Sequence, residues 1–197
     1  MQRWLRTNEK QEFISSVRMV SESLLLTRGN LESWKWVIIS IHNAMQAAMV
    51  ISLRAGNNLR VVPDKLAEKW LSAYQEDRPL PEERMDSFGN LYSKVKNEQI
   101  MGFFVNSRAL PATDELDRSM EKVLDLRNQF IHFLPQGLSL ELSGMPAICL
   151  SILKAIKFLG WDSGNVIWMS ELENQTALNE VLRATAIAEE LKVEYEK

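Results

Sequence analysis

The sequence predicts an all-α protein, and three observations carry that prediction. Leu, Ala, Met, Glu and Lys are abundant while Gly (8) and Pro (6) are sparse in 197 residues, a composition that favours long helices over many short strands. Apolar residues recur at helical spacing through long windows, whereas strict alternation is confined to one short run. With 46% hydrophobic and 25% charged residues, the chain also has enough apolar material for a real core. One helical domain spanning residues 1–197 is expected.

The first helix runs from about Glu9 to Thr27, with Phe13, Val17, Val20 and Leu24 on one face and Gly29-Asn30 ending it. The second, about Leu31 to Ala55, is apolar nearly all round through Trp34, Val37, Ile38, Ile41, Met45, Ala48 and Met49, and closes at Gly56-Asn57; such a helix belongs in the centre of a domain. Residues 57–111 are punctuated by Pro63, Pro79, Pro81 and Gly89-Asn90 and read as a helical insertion, with pieces near Lys65–Gln75 and Pro81–Lys96. Thr113, followed by Asp114, Glu115 and Asp117, starts a third long helix, residues 113–134, because carboxylates favour the positive helix end.

After Pro135, the alternating run Leu138 to Leu142 reads as a short extended piece, followed by helices over about 146–159 and 175–194. The Trp161–Met169 connection is expected to fold back on the body. Of the six tryptophans, Trp34 and Trp36 straddle the start of the central helix, and one of them is expected to face a partner.

Several function classes are excluded. A net charge of −3 argues against a general nucleic-acid-coating surface and leaves room only for a local cleft. The single cysteine, Cys149, sits in an apolar run and suits a reducing compartment. The amino terminus lacks a secretory core, and the apolar stretch Trp36–Leu53 is interrupted by His42, Asn43 and Gln46, so a buried helix, no membrane span and a cytoplasmic location are expected. No phosphate-cradling glycine loop, nucleophile elbow or dinucleotide fingerprint is present. Two histidines and one cysteine give no zinc-ligand spacing, and Glu82-Glu83 and Glu189-Glu190 read as solvated faces. Neither metal nor cofactor is expected.

The third long helix carries the chemistry. At 100° per residue, Leu116, Met120, Val123, Arg127, Phe130, Ile131 and Leu134 fall on one stripe. Arg127 therefore sits inside an apolar face, where a guanidinium must meet a carboxylate, a phosphate or a water-filled cleft. Asn128 and His132, four residues apart, share the adjacent flank. His132 lies in the last turn before Pro135, where unwinding brings the imidazole toward the guanidinium and the negative helix end favours its protonated form. His42 falls at the edge of the central helix's apolar face and reads as a core histidine able to line the same cleft.

The segment Arg127-Asn128-Gln129-Phe130-Ile131-His132 resembles the R-x4-6-H signature of HEPN domains, in which a polar residue commonly follows the arginine. The layout agrees, with a long antiparallel helix pair preceding a signature near the end of a late helix. The resemblance implies an HEPN-like helical bundle and a metal-independent endoribonuclease that acts on RNA through a site composite across a homodimer. It implies attack of the ribose 2′-hydroxyl on the adjacent phosphate, leaving a cyclic phosphate. Arg127 then holds the phosphate, His132 transfers protons, and Asn128 orients His132 or bonds the phosphate. The family's usual settings, a toxin with an inhibitor or antitoxin protein or an anti-phage defence effector, follow as expectations. The toxins paired with a nucleotidyltransferase antitoxin continue R-x4-H-x-Y; here Leu134 stands at the tyrosine position, which argues against that partner.

Read without the resemblance, Arg127 is a packed, salt-bridged side chain and His132 a helix-end cap. Two other readings therefore stand beside the ribonuclease. One is a catalytically silent HEPN-like module that binds a nucleotide or a protein; the other is an unrelated helical interaction protein with a structural Arg127 and His132.

Overall fold

The computed structural model describes residues 3–54, 56–132, 135 and 137–196, and within them every regular element is helical. The helices are α1 (Glu9–Leu26), α2 (Trp34–Leu53), α3 (Asp64–Gln75), α4 (Phe88–Val95), α5 (Glu98–Met101), α6 (Asp114–Ile131), α7 (Met145–Lys157) and α8 (Glu171–Tyr195). Side-chain caps account for several of the helix starts. Asn8 accepts backbone N–H bonds at the start of α1, Thr113 does so for α6 and Ser170 for α8, each satisfying donors that the helix leaves orphaned.

The apolar α2 is the axis of the bundle. It is contacted by α1, α4, α6 and α7, while α8 packs on α1 and α7. Val37, Ile38, Ile41, Ala44, Met45, Ala48 and Met49 are all sealed from solvent. Length and composition would let this helix cross a membrane, yet most of it is buried among the other helices.

Several boundaries differ from the sequence reading. Leu31–Ser33 form a 3₁₀ turn before α2, because Asn30 caps Glu32 and tightens the entry. Only Phe88–Val95 of the expected helix over Pro81–Lys96 forms; residues 76–87 are irregular, with Asp77 at a positive φ of 51° and two prolines denying backbone donors. The last helix starts at Glu171 rather than Gln175. The run Leu138–Leu142 has no regular structure and pairs with no strand.

The insertion is held at both ends. Lys94 on α4 is buried and donates to Asp86, Asp64 and the carbonyl of Val62, each at 2.7–2.8 Å. At its exit, Asn165 donates to the carbonyl of Met101 and accepts from Ser107, and Arg108 donates its backbone N–H to Ser163 and its guanidinium to the carbonyl of Asp162. Gly164 lies here at φ +73°, where a Cβ would stand 2.9 Å from the carbonyl oxygen of Asn106. The Trp161–Met169 connection does fold back: Trp161 and Trp168 stack at 5.3 Å and both tilt against Phe13.

Candidate functional site

The face of α6 that meets the core consists of Leu116, Ser119, Met120, Val123 and Leu126, all buried. Arg127 projects within about 20° of Leu116 around the helix, so its direction is inward, yet it is only half-buried. Phe130 is likewise half-buried and Ile131 is exposed. The stripe thus keeps its direction while the neighbours that cover it stop short. Leu134, the last residue of the expected stripe, lies outside the described residues, as does Phe133.

The Arg127 guanidinium donates to the side-chain oxygen of Asn128 at 3.0 Å. Among the described residues no carboxylate stands within salt-bridge distance of it. The amide dipole of Asn128 steadies the guanidinium without neutralising it, leaving a full positive charge at the edge of an apolar surface.

His132 is the C-cap of α6, with φ −102° and ψ 47°, and its backbone N–H bonds to the carbonyl of Asn128. Its ring is exposed and makes no hydrogen bond among the described residues. The helix therefore ends one turn earlier than the predicted 113–134. Among the described residues no hydrogen bond joins the His132 imidazole to Arg127, whose guanidinium bonds Asn128. Asn128 links the two, through its side chain to Arg127 and through its carbonyl to the backbone of His132.

A second histidine borders the site. His42 on α2 is 3% exposed and stacks on Phe88 of α4, ring centroids 4.2 Å apart and planes at 19°. Burial is the main force that pushes its imidazole down to about 4; the nearby Asn43 side chain, 3.5 Å away, opposes this, and the positive charge of Arg127 adds to it to a lesser extent. His42 is thus a neutral wall beside Arg127, and the insertion supplies the aromatic lid over it.

Next to the motif lies a feature that periodicity alone does not give. A groove of about 660 Å³ runs between the start of α2 and the segment after α6, with Trp34, Trp36, Phe130, Leu138 and Leu140 in its walls and Lys35 at its edge. Trp34 is buried and donates its indole N–H to the Tyr195 hydroxyl, whereas Trp36 is 56% exposed with Lys35 over its ring. Of the two tryptophans that straddle the start of α2, Trp36 is the exposed one.

Cys149 is sealed in the core, and burial pushes its thiol up to about 12, which makes it inert as a nucleophile. Comparison of the chain with family models, with curated proteins and with solved structures gave no match.

Proposed function

We propose that this protein is a metal-independent endoribonuclease of the HEPN type, with Arg127, Asn128 and His132 as its site. The observation that carries this reading is the state of Arg127: a permanently charged guanidinium directed inward on an apolar stripe, with no carboxylate partner among the described residues, and steadied by the neighbouring amide. Such a group is completed by an anion, and its planar fork matches a phosphate. The exposed Ile131 beside it favours a second copy of α6 as the missing cover, giving a homodimer with two histidines at one site.

In that site one imidazole removes the proton of the ribose 2′-hydroxyl, whose oxygen attacks phosphorus. The bond from phosphorus to the 5′-oxygen breaks, and the second imidazole, protonated, donates to the departing oxygen. The products are a 2′,3′-cyclic phosphate and a 5′-hydroxyl, with no redox change and no metal. Arg127 stabilises charge on the non-bridging oxygens, and Asn128 holds the guanidinium and the end of α6 in register.

Incubation of the protein with mixed RNA in chelator, with product ends identified, tests this. The wild type is expected to give cyclic phosphate and 5′-hydroxyl ends. Arg127→Ala and His132→Ala should each lower the rate at least about a hundredfold with the far-UV spectrum unchanged. Undiminished cleavage by either variant overturns the assignment.

A further inference from the structure

We infer that the groove beside α6 is a nucleobase subsite, which takes the unpaired base of a single-stranded RNA next to the phosphate on Arg127. The inference rests on the reading of Arg127 as a phosphate anchor and adds the part of the substrate that the anchor does not touch. Phe130 in the groove wall follows Arg127 by three residues, about 4.5 Å along the axis of α6, so a nucleotide with its phosphate on Arg127 places its base at the groove mouth. The walls are what a base needs: Trp36 presents an exposed indole, Phe130 a half-covered ring, and Leu138 and Leu140 an apolar floor. A nucleobase gains from such a surface whatever its identity, because every base has a π-face.

Charge decides which part of the nucleotide enters. Lys35 lies 5.3 Å from the Trp36 ring centroid and attracts the strand to the rim, but Glu32 stands in the same lining and repels a phosphate. The backbone is thereby kept on the Arg127 side, and the uncharged base goes into the groove. A base paired in a duplex has no free face to offer, so the subsite selects single strands, bulges or ends.

The test is equilibrium binding of a labelled, fully 2′-O-methylated 12-nucleotide strand of mixed sequence, which cannot be cleaved, followed by fluorescence anisotropy in chelator. Trp36 is exposed, so its replacement leaves the core intact. Trp36→Ala should weaken binding about tenfold and Trp36→Phe should restore most of it. Leu172→Ala, an exposed apolar site at the far end of α8, should bind as the wild type does. Arg127→Ala should instead flatten the salt dependence. The inference is overturned if the wild type does not bind the strand, if Trp36→Ala binds as tightly as wild type, if Trp36→Phe is as weak as Trp36→Ala, or if the same strand annealed to its complement binds as well as the single strand. It is also overturned if the loss in Trp36→Ala tracks a change in oligomeric state by light scattering, which assigns the groove to a second copy. Because the strand is uncleavable, these outcomes are independent of the cleavage assay: binding through Trp36 by a protein that cuts no RNA sinks the nuclease reading alone.

Discussion

Lys94 and Arg127 are both cations directed into apolar surroundings, and the protein treats them in opposite ways. Lys94 is buried, 2.8 Å from the buried carboxylate of Asp86 and bonded to a carbonyl besides. Asp64 is equally close, but its carboxylate is 81% exposed and adds little. Burial opposes the charge on Lys94, yet its carboxylate partners hold the ammonium above its ordinary value; Asp86 is held below its own by Lys94, Asn90 and the backbone of Ser87. Among the described residues Arg127 has one amide and no carboxylate. A cation that serves only the fold is given its counter-charge by the fold, so a half-buried guanidinium left without one is available to a ligand.

The strongest way to break this contrast is to remove each cation in turn. Lys94→Met strands Asp86 in the core and should cost about 3–5 kcal/mol in urea unfolding, and adding Asp86→Leu should recover much of it. Arg127→Met should change stability by less than about 1 kcal/mol. A large loss at Arg127 would make it a structural cation and end the comparison.

The next effect is the response to acid. The His42 imidazole accepts a proton near its ordinary value of 6.5 when unfolded but only at about 4 when folded. Between those values the unfolded chain binds more protons, so stability falls as pH falls, by roughly 3 kcal/mol in all. Depressed carboxylates such as Asp86 and Asp117 contribute only from about pH 4 downward, leaving the upper window to histidine. His42→Gln should flatten denaturant midpoints between pH 6.5 and 4, and an unchanged slope would show that His42 is not the group concerned.

Asn128→Ala should be the mildest change, within about 0.5 kcal/mol in stability because the residue is exposed. RNA cleavage should fall about tenfold, the scale of one hydrogen bond to a charged group. A loss as deep as that of Arg127→Ala would give Asn128 a direct role on the phosphate.

Much of this arrangement is legible in the chain. Thr113 with its acidic first turn, the all-round apolar α2 and the stripe of α6 are local patterns, and local patterns set caps and faces. Even the inward direction of Arg127 follows from counting residues. What counting leaves open is where the covering helices stop, because that depends on contacts between distant segments; the half-exposure of Arg127 is of this kind. His42 and Arg127 lie 85 residues apart, and Lys94 meets a carbonyl 32 residues before it, pairings that no spacing rule announces. The early start of α8 is different. Ser170-x-x-Glu173 caps it, but the exposed first turn with Leu172 at 79% has no apolar face, so periodicity appears only from Ala177 onward.

The stitch between Asn165 and the insertion's exit bears on the order of folding. Its hydrogen bonds join residues 58 and 64 positions apart, so the chain must close a long loop before they return any free energy. The α1 and α2 pair, joined by a tight turn, has no such delay. Folding should begin at that hairpin, and Gly164, whose missing side chain permits the final close approach, acts after the rate-limiting step: changing it should speed unfolding and leave the refolding rate nearly untouched.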